Sequence, residues 1–162
     1  MNTRSKIVSR TDLQTRLAQH RQDGRQIVFA NGCFDILHAG HMRYLEGARR
    51  EGDVLVVAIN SDESVCGLKG PGRPILCAQA RAELVAALAV VNYVVIFDEP
   101  DVRGLLRDLR PNVHAKGTDY TLETVPEREE AARLGIRVAI VGDAKQHSTR
   151  DLVARIRQAS HG

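Results

Sequence analysis

The sequence predicts an α/β protein built on one parallel sheet of about five strands, with helices covering both faces. Two observations carry this prediction. Continuous apolar runs of strand length, the kind expected for strands buried on both faces, recur at 27–29, 53–59, 93–97, 112–115 and 137–141. Segments with helical periodicity separate these runs, which indicates βαβ units with right-handed crossovers. We therefore expect a three-layer, Rossmann-like fold that forms a single domain over residues 1–162.

The helices are indicated by apolar stripes at helical spacing. Thr11 to about Gln22 carries Leu13 and Leu17, with Thr11 as the expected N-cap and Gly24 as the stop. Residues 1–8 lack such a stripe and are expected to form a loose, flexible tail. The remaining helical segments are expected near 39–50, 80–91, 102–109, 126–134 and 149–159.

Composition narrows the class of protein. The 23 basic residues nearly balance 20 acidic ones, and only 4% of residues are aromatic, which argues against nucleic-acid binding and suits small anionic substrates. No apolar run approaches the roughly eighteen residues of a membrane span, and no signal peptide begins the sequence. Cys33, Cys66 and Cys77 are odd in number and form no Cys-x-x-Cys pair. We therefore expect a cytosolic protein with reduced thiols.

The stretch from Ala30 to His41 has the pattern of a phosphate site. It joins the first strand to a helix expected to begin near Ala39, and a helix start favours an anion. Gly32 and Gly40 leave room for a phosphate, while His38 and His41, three residues apart, should project toward the same space. A hairpin at Asn31-Gly32 is disfavoured because no alternating strand follows.

In a parallel sheet, ligands bind beyond the carboxyl ends of the strands, where strand order reverses. After the second strand come Asn60 and Asp62, as substrate ligands or, for Ser61 and Asp62, simply as a helix cap. The glycine- and proline-rich loop at 67–75 carries two further candidate phosphate ligands, Lys69 and Arg73. Arg81 opens the next helix, as a phosphate ligand or as a solvated surface arginine.

Two later segments should reach the same edge of the sheet. Lys116, Gly117 and Asp119 end the fourth strand and could hold a ribose, a base edge or a phosphate, or form a tight turn. Ser148 and Thr149 begin the last helix and provide a second helix start facing the cleft, besides capping it.

These motifs resemble a known family. Gly32-Cys33-Phe34-Asp35-x-x-His38-x-Gly40-His41 resembles the signature of nucleotidyltransferases related to cytidylyltransferases. The further motifs resemble the nucleotidyltransferase domain of ADP-heptose synthases, over about residues 26–157 and without the sugar kinase domain of bifunctional members. They are Asn60-Ser61-Asp62, Leu68-Lys69-Gly70, Arg73-Pro74-Ile75, Lys116-Gly117-x-Asp119-Tyr120 and Ser148-Thr149.

The resemblance implies a reaction in which D-glycero-β-D-manno-heptose 1-phosphate attacks the α-phosphorus of ATP, with magnesium assisting, to give ADP-heptose for lipopolysaccharide and pyrophosphate. It also implies a homodimer. The catalytic candidates are His38, His41 and Lys69. The candidates for binding ATP are Gly32, Cys33, Phe34, Gly40, Arg81, Lys116, Gly117, Asp119, Ser148 and Thr149. The candidates for binding the second substrate are Asp35, Asn60, Asp62 and Arg73.

Several points stay open at this stage. Asp35 and Asp119 are the carboxylates to consider for magnesium, but neither is assigned. Cys33 is interpreted as a backbone donor, not a nucleophile. Thr118 and Arg150 depart from the family pattern, and Arg150 could add a phosphate ligand. The alternatives are a cytidylyltransferase acting on glycerol 3-phosphate or another small phosphate and, from another class, a nucleotide-binding module without turnover.

Overall fold

A computed structural model describes residues 2–144 and 148–160. The strands are β1 Ile27–Gly32, β2 Val54–Asn60, β3 Tyr93–Phe97, β4 Val113–Gly117 and β5 Arg137–Val141. The helices are α1 Arg10–Gln22, α2 Ala39–Arg50, α3 Asp62–Lys69, α4 Ala78–Ala86, α5 Arg103–Leu109, α6 Arg128–Arg133 and α7 Thr149–Ala159. The predicted alternation of strands and helices is therefore confirmed.

The strands form one parallel sheet in the order β3-β2-β1-β4-β5. The chain leaves β1 toward β2 and β3, then crosses back to β4 on the other side of β1. Strand order thus reverses between β1 and β4, and a crevice opens beyond their carboxyl ends. Pairing between these two strands runs only as far as Ala30 and Ala115.

The core divides by the alternation of the strands. On β1, Val28 and Ala30 face the layer of α2 and α4, while Ile27 and Phe29 face the layer of α1, α5 and α6. Helix α1 contributes Leu13 and Leu17, both fully buried, to the second layer. Both faces of the sheet are covered, which explains why the strands read as unbroken apolar runs.

The N-terminal segment differs from the expected loose tail. Residues Thr3–Lys6 form a 3₁₀ helix, Ile7 makes a parallel bridge with Val94, and the Val8 amide donates to the Val94 carbonyl at 3.0 Å. Tertiary contact with the sheet orders this segment, so it needs no amphipathic pattern of its own. The expectation of a loose tail is wrong for residues 2–8.

Helix α1 begins earlier than expected. Its N-cap is Ser9, whose hydroxyl accepts the Asp12 amide at 3.1 Å, and Thr11 lies inside the first turn. Both residues can cap a helix, and here the segment that pairs with β3 ends at Val8 and leaves Ser9 in the cap position. Gly24 follows the helix at φ +71°, as expected for a stop.

Candidate active site

A cavity of about 880 Å³ lies beyond the carboxyl ends of the strands. Its walls come from α2, the end of α3 and the loop after it, the ends of β4 and β5, and the start of α7. The sequence-predicted residues among its lining are His38, Gly40, His41, Lys69, Arg73, Gly117, Asp119, Ser148 and Thr149. The fold therefore brings together candidates that are more than a hundred positions apart in the sequence.

The two histidines stand at the N-terminus of α2. His38 is the N-cap, and its Nδ1 accepts the Gly40 amide at 3.1 Å. This bond fixes the ring proton on Nε2, so a neutral His38 can donate from that atom. The His41 ring stacks on His38 with 3.8 Å between centroids. The expectation that both rings occupy the same space is confirmed.

The surroundings of His41 keep it neutral. Burial, helped by the electrostatic effect of the nearby His38 and Lys69, lowers the pKa of His41 to about 4. The Phe34 ring lies against it, with 5.1 Å between centroids. At neutral pH this imidazole acts by hydrogen bonding rather than as a cation.

Tyr44 spans the crevice where β1 and β4 part. Its hydroxyl donates to the carbonyl of Ala115, the last residue of β4 that pairs with β1, at 2.9 Å. The same hydroxyl accepts the amide of Asn31, the first residue of β1 beyond that pairing, at 3.4 Å. Burial raises the pKa of this phenol. The side-chain oxygen of Asn31 is in turn 3.1 Å from Nε2 of the fully buried His114. The end of β1 is thus fixed from both sides.

Arg73 reaches the cavity because Asp35 holds it. The buried Asp35 carboxylate accepts Arg73 Nη1 at 2.8 Å and the amides of Ile75 and Leu76 at 2.7 and 3.0 Å. The amides and the guanidinium outweigh the effect of burial, which acts in the opposite direction, and lower the pKa of Asp35. Asp35 therefore anchors the loop that carries Arg73 and does not line the cavity, so the structure gives no support to the prediction that it binds the second substrate.

The opposite wall depends on a close approach of two glycines. A Cβ on Gly47 of α2 would lie 2.9 Å from the amide nitrogen of Gly142, which follows β5 at φ +93°. This approach places the residue that follows β5 directly against α2. Ser148 caps α7 by accepting the Asp151 amide at 3.1 Å, as predicted, and also lines the cavity with Thr149. A role of this helix start in binding an anion stays a prediction.

Arg81 is not a surface residue and does not reach the cavity. It is fully buried, and its guanidinium donates to the carbonyls of Cys33 and Leu76 and to the carboxylate of Asp62. Lys116 is also buried, 3.7 Å from Glu127 Oε2 and 4.5 Å from the ring centroid of Tyr120. Neither side chain lines the cavity: the Arg81 guanidinium is hydrogen-bonded to protein groups, and Lys116 makes a long ion pair with Glu127. That they bind the nucleotide stays a prediction.

Four other candidates have structural roles in the described chain, outside the cavity lining. Gly32 makes room for Phe34, whose ring would lie 3.0 Å from a Cβ there. Asn60 donates to Ser64 Oγ at 3.0 Å, and Asp62 opens α3, which Ser61 caps. Burial raises the pKa of the Cys33 thiol, which agrees with the view that Cys33 is not a nucleophile.

A comparison with known protein families finds a match. The family model described as cytidylyltransferase-like matches residues 29–153, which include the histidine pair and the start of α7. The chain belongs to the cytidylyltransferase-like family. This family consists of nucleotidyltransferases, and the phosphate-site geometry at the start of α2 fits that chemistry.

Similar proteins share most of this chain. The bifunctional protein HldE of Syntrophotalea carbinolica is 45% identical over 152 residues, covering 94% of this chain and 31% of that protein. The HldE of Nitrobacter hamburgensis is 48% identical over 147 residues, covering 91% of this chain and 30% of that protein. This chain spans about a third of the length of these relatives.

A solved structure supports the same fold. The lipopolysaccharide core biosynthesis protein from Thermoplasma volcanium GSS1 superposes with a TM-score of 0.63 at 26% identity. The superposition covers 75% of this chain and 100% of that chain. The Rossmann-like fold predicted from the sequence is therefore confirmed by a similar protein of known structure.

Several residues that line this cytidylyltransferase-like site were not among the sequence-predicted candidates, and they include Tyr44, Arg43 and Asp143. Tyr44 follows His41 by three positions, a spacing that puts both on one helix face and could have indicated it. Arg43 also lines the cavity, with its Nε 3.5 Å from Asp143 Oδ2. Together with Lys69, Arg73 and Arg150 it makes the cavity rich in cations, as a site for phosphates requires.

No cluster of three metal-ligating side chains occurs within residues 2–144 and 148–160. Asp119 and Asp143 line the cavity, whereas the Asp35 carboxylate is fully engaged by the loop that it anchors. Nor does any helix in these ranges have the length and apolarity to cross a membrane.

Proposed function

We propose that this chain transfers an adenylyl group from ATP to D-glycero-β-D-manno-heptose 1-phosphate, releasing pyrophosphate and forming ADP-heptose for the lipopolysaccharide core. The stacked pair His38 and His41, at a helix N-terminus in a cation-lined cavity, carries the proposal. The choice of ATP and of the sugar rests on the motifs resembling ADP-heptose synthases and on the match to HldE proteins along most of the chain. The relation to a lipopolysaccharide core biosynthesis protein points to the same pathway.

The reaction requires little covalent chemistry from the protein. An oxygen of the sugar phosphate forms a bond to the α-phosphorus of ATP, and the bond from that phosphorus to the bridging oxygen of the leaving pyrophosphate breaks. A phosphate monoester, with a second pKa near 6, is already largely dianionic at neutral pH and needs no general base. The protein has to align two anions and stabilise the charge that develops during transfer.

The histidines and cations divide this work. His38 donates from Nε2, because its Nδ1 is occupied by the Gly40 amide, and His41 is neutral at pH 7. The two rings therefore hydrogen-bond phosphate oxygens at the start of α2, where the helix dipole adds favourable charge. Lys69 and Arg73, which also line the cavity, supply positive charge.

Magnesium fits this donor set as a partner of the substrate phosphates. It commonly keeps several waters and takes one or two protein carboxylates, and Asp119 and Asp143 are the cavity carboxylates that would hold it. When bound, the ion would neutralise charge on the phosphates of ATP.

We further propose, from the family resemblance, that the enzyme acts in the cytosol as a homodimer, which sedimentation velocity and cell fractionation would test.

The deciding experiment measures pyrophosphate release with the heptose 1-phosphate in magnesium buffer, with ATP or CTP as donor. The double variant His38→Ala, His41→Ala is the blank, and Arg137→Ala, which breaks an exposed ion pair with Glu51, is the matched control. We expect release with ATP in the wild type and the control, and loss in the double variant. Release with CTP alone, or with another small phosphate alone, would overturn the proposed substrates, and no release at all would favour a binding module.

A further inference from the structure

The guanidinium of Arg81 is the largest fully buried side chain among the described residues, and it touches three different segments. Its Nη1 donates to the Cys33 carbonyl at 2.6 Å, its Nε to the Leu76 carbonyl at 2.9 Å, and its Nη2 to Asp62 Oδ1 at 2.8 Å. A buried charge is costly unless hydrogen bonds compensate it, and here all three nitrogens have partners.

Each of the three segments leads to a cavity residue. Leu76 ends the loop that presents Arg73, and Asp62 begins the helix that ends at Lys69. Cys33 lies at the end of β1, in the segment that leads to the histidine pair. Arg81, which lies outside the cavity, thus connects the segments that carry Arg73, Lys69 and the histidine pair.

The contact with Cys33 acts on a strained position. The Cys33 carbonyl belongs to the peptide unit that enters Phe34, and Phe34 has φ +49°, in the left-handed region. A non-glycine residue held there costs of order 1–3 kcal/mol and persists only where its surroundings fix it. The hydrogen bond from Arg81 fixes the plane of that peptide and so restrains the rotation that sets φ of Phe34.

Phe34 passes this restraint to the site. Phe34 is 3% exposed. The centroid of its ring lies 5.1 Å from that of His41 and 6.5 Å from that of Tyr44. If Phe34 relaxed toward an ordinary φ, its ring would leave the space beside His41, and water would enter.

We propose that Arg81 is a positioning residue, which holds Phe34 in its left-handed conformation through the Cys33 carbonyl and thereby fixes the His41 ring for phosphoryl transfer. It touches neither substrate. The expected effect on kcat rests on the proposed nucleotidyl transfer. The expected effect on the position of the His41 ring does not depend on any substrate.

Arg81→Lys is the variant that isolates this role. Lysine keeps the charge and most of the volume, but its single nitrogen cannot reach three divergent acceptors. We expect kcat to fall about 10- to 100-fold, as a displacement of about 1 Å can cause, while the Kd for ATP changes less than about threefold. Leu17→Val, in the core on the opposite face of the sheet, is the control for simple destabilisation and should keep kcat.

Two readouts separate positioning from a merely structural role. The titration of His41, followed by NMR on its imidazole nitrogens without substrate, should move up from about 4 toward the ordinary histidine value in Arg81→Lys, since its shielding is lost. In a double-mutant cycle, Arg81→Lys should cost much less on a His41→Ala background than in the wild type, because both changes remove the same aligned ring.

Unchanged His41 titration together with multiplicative kinetic effects would overturn the proposal. Should Arg81→Lys fail to fold, Phe34→Leu tests the second step of the proposal, since it keeps Arg81 and removes the ring beside His41. It should reproduce the raised His41 titration, and a titration like that of the wild type would refute the proposal. A wild type without pyrophosphate release would overturn the proposed function, while the titration would still decide the role of Arg81.

Discussion

Acidification should destabilise this protein through His114 in the middle of the sheet. The side chain is fully buried, and its Nε2 lies 3.1 Å from the side-chain oxygen of Asn31. Burial, with a smaller contribution from the charge of Lys116, lowers the pKa of His114 to about 3. In the unfolded chain the same imidazole titrates near its ordinary value of about 6.5.

The sign follows from the proton count. Between pH 6.5 and about 3 the unfolded chain binds a proton at His114 that the folded chain does not, so stability falls as the pH falls through this range. A group with these two pKa values costs roughly 2 kcal/mol of unfolding free energy between pH 7 and pH 5. That is a substantial share of the 5–15 kcal/mol typical of a domain.

Urea unfolding of the wild type and His114→Gln at pH 7 and pH 5 measures this cost. Glutamine keeps an N–H donor for Asn31 but cannot take up a proton. The variant should be less stable at pH 7 because of altered packing, yet lose about 2 kcal/mol less than the wild type on going to pH 5. His41 shifts in the same direction but is present in both proteins and cancels. Equal losses in both, with equal m-values, would refute the assignment to His114.

Three substitutions test the scaffold around the cavity. Asp35→Asn places an amide N–H donor next to the Arg73 guanidinium and the loop amides, which are donors themselves. It should lower the free energy of unfolding, measured in urea, by about 3 kcal/mol. A loss below about 1 kcal/mol would contradict the anchoring role. Tyr44→Phe leaves a strand carbonyl and a strand amide without their shared hydroxyl, and should lower Tm by about 4 °C in calorimetry, whereas an unchanged Tm would count against the bridge. Gly47→Ala should clash with the backbone of Gly142 and weaken ATP binding, measured by titration calorimetry, by about tenfold. Gly67→Ala, whose Cβ would have open space around it, is the neutral control. Equal ATP affinities of the two variants would contradict the argument.

The sheet and the histidine pair were accessible from the sequence because their signals are local. Apolar runs of strand length mark strands buried on both faces, and the three-residue spacing of His38 and His41 puts both rings at one helix start. The cavity candidates at the ends of β4 and β5 followed from topology alone, since parallel strands end at one edge.

The role of Arg81 was not accessible in this way. Its three acceptors lie up to 48 positions away from it in the sequence, and nothing in the residues next to it indicates burial. Asp35 likewise reads as a cavity carboxylate until the loop that it anchors is seen to fold back onto it. The ordered conformation of residues 2–8 also depends on a tertiary contact, the bridge of Ile7 with Val94.

That bridge has a consequence for solubility. Strand β3 is an outer strand of the sheet, and an outer strand with unpaired amides and carbonyls can recruit a strand from another molecule. Here Ile7 and Val8 occupy part of that border, with the Val8 amide bonded to Val94. Deleting residues 2–8 would expose this edge of β3, and we expect the shortened protein to associate more readily through its sheet.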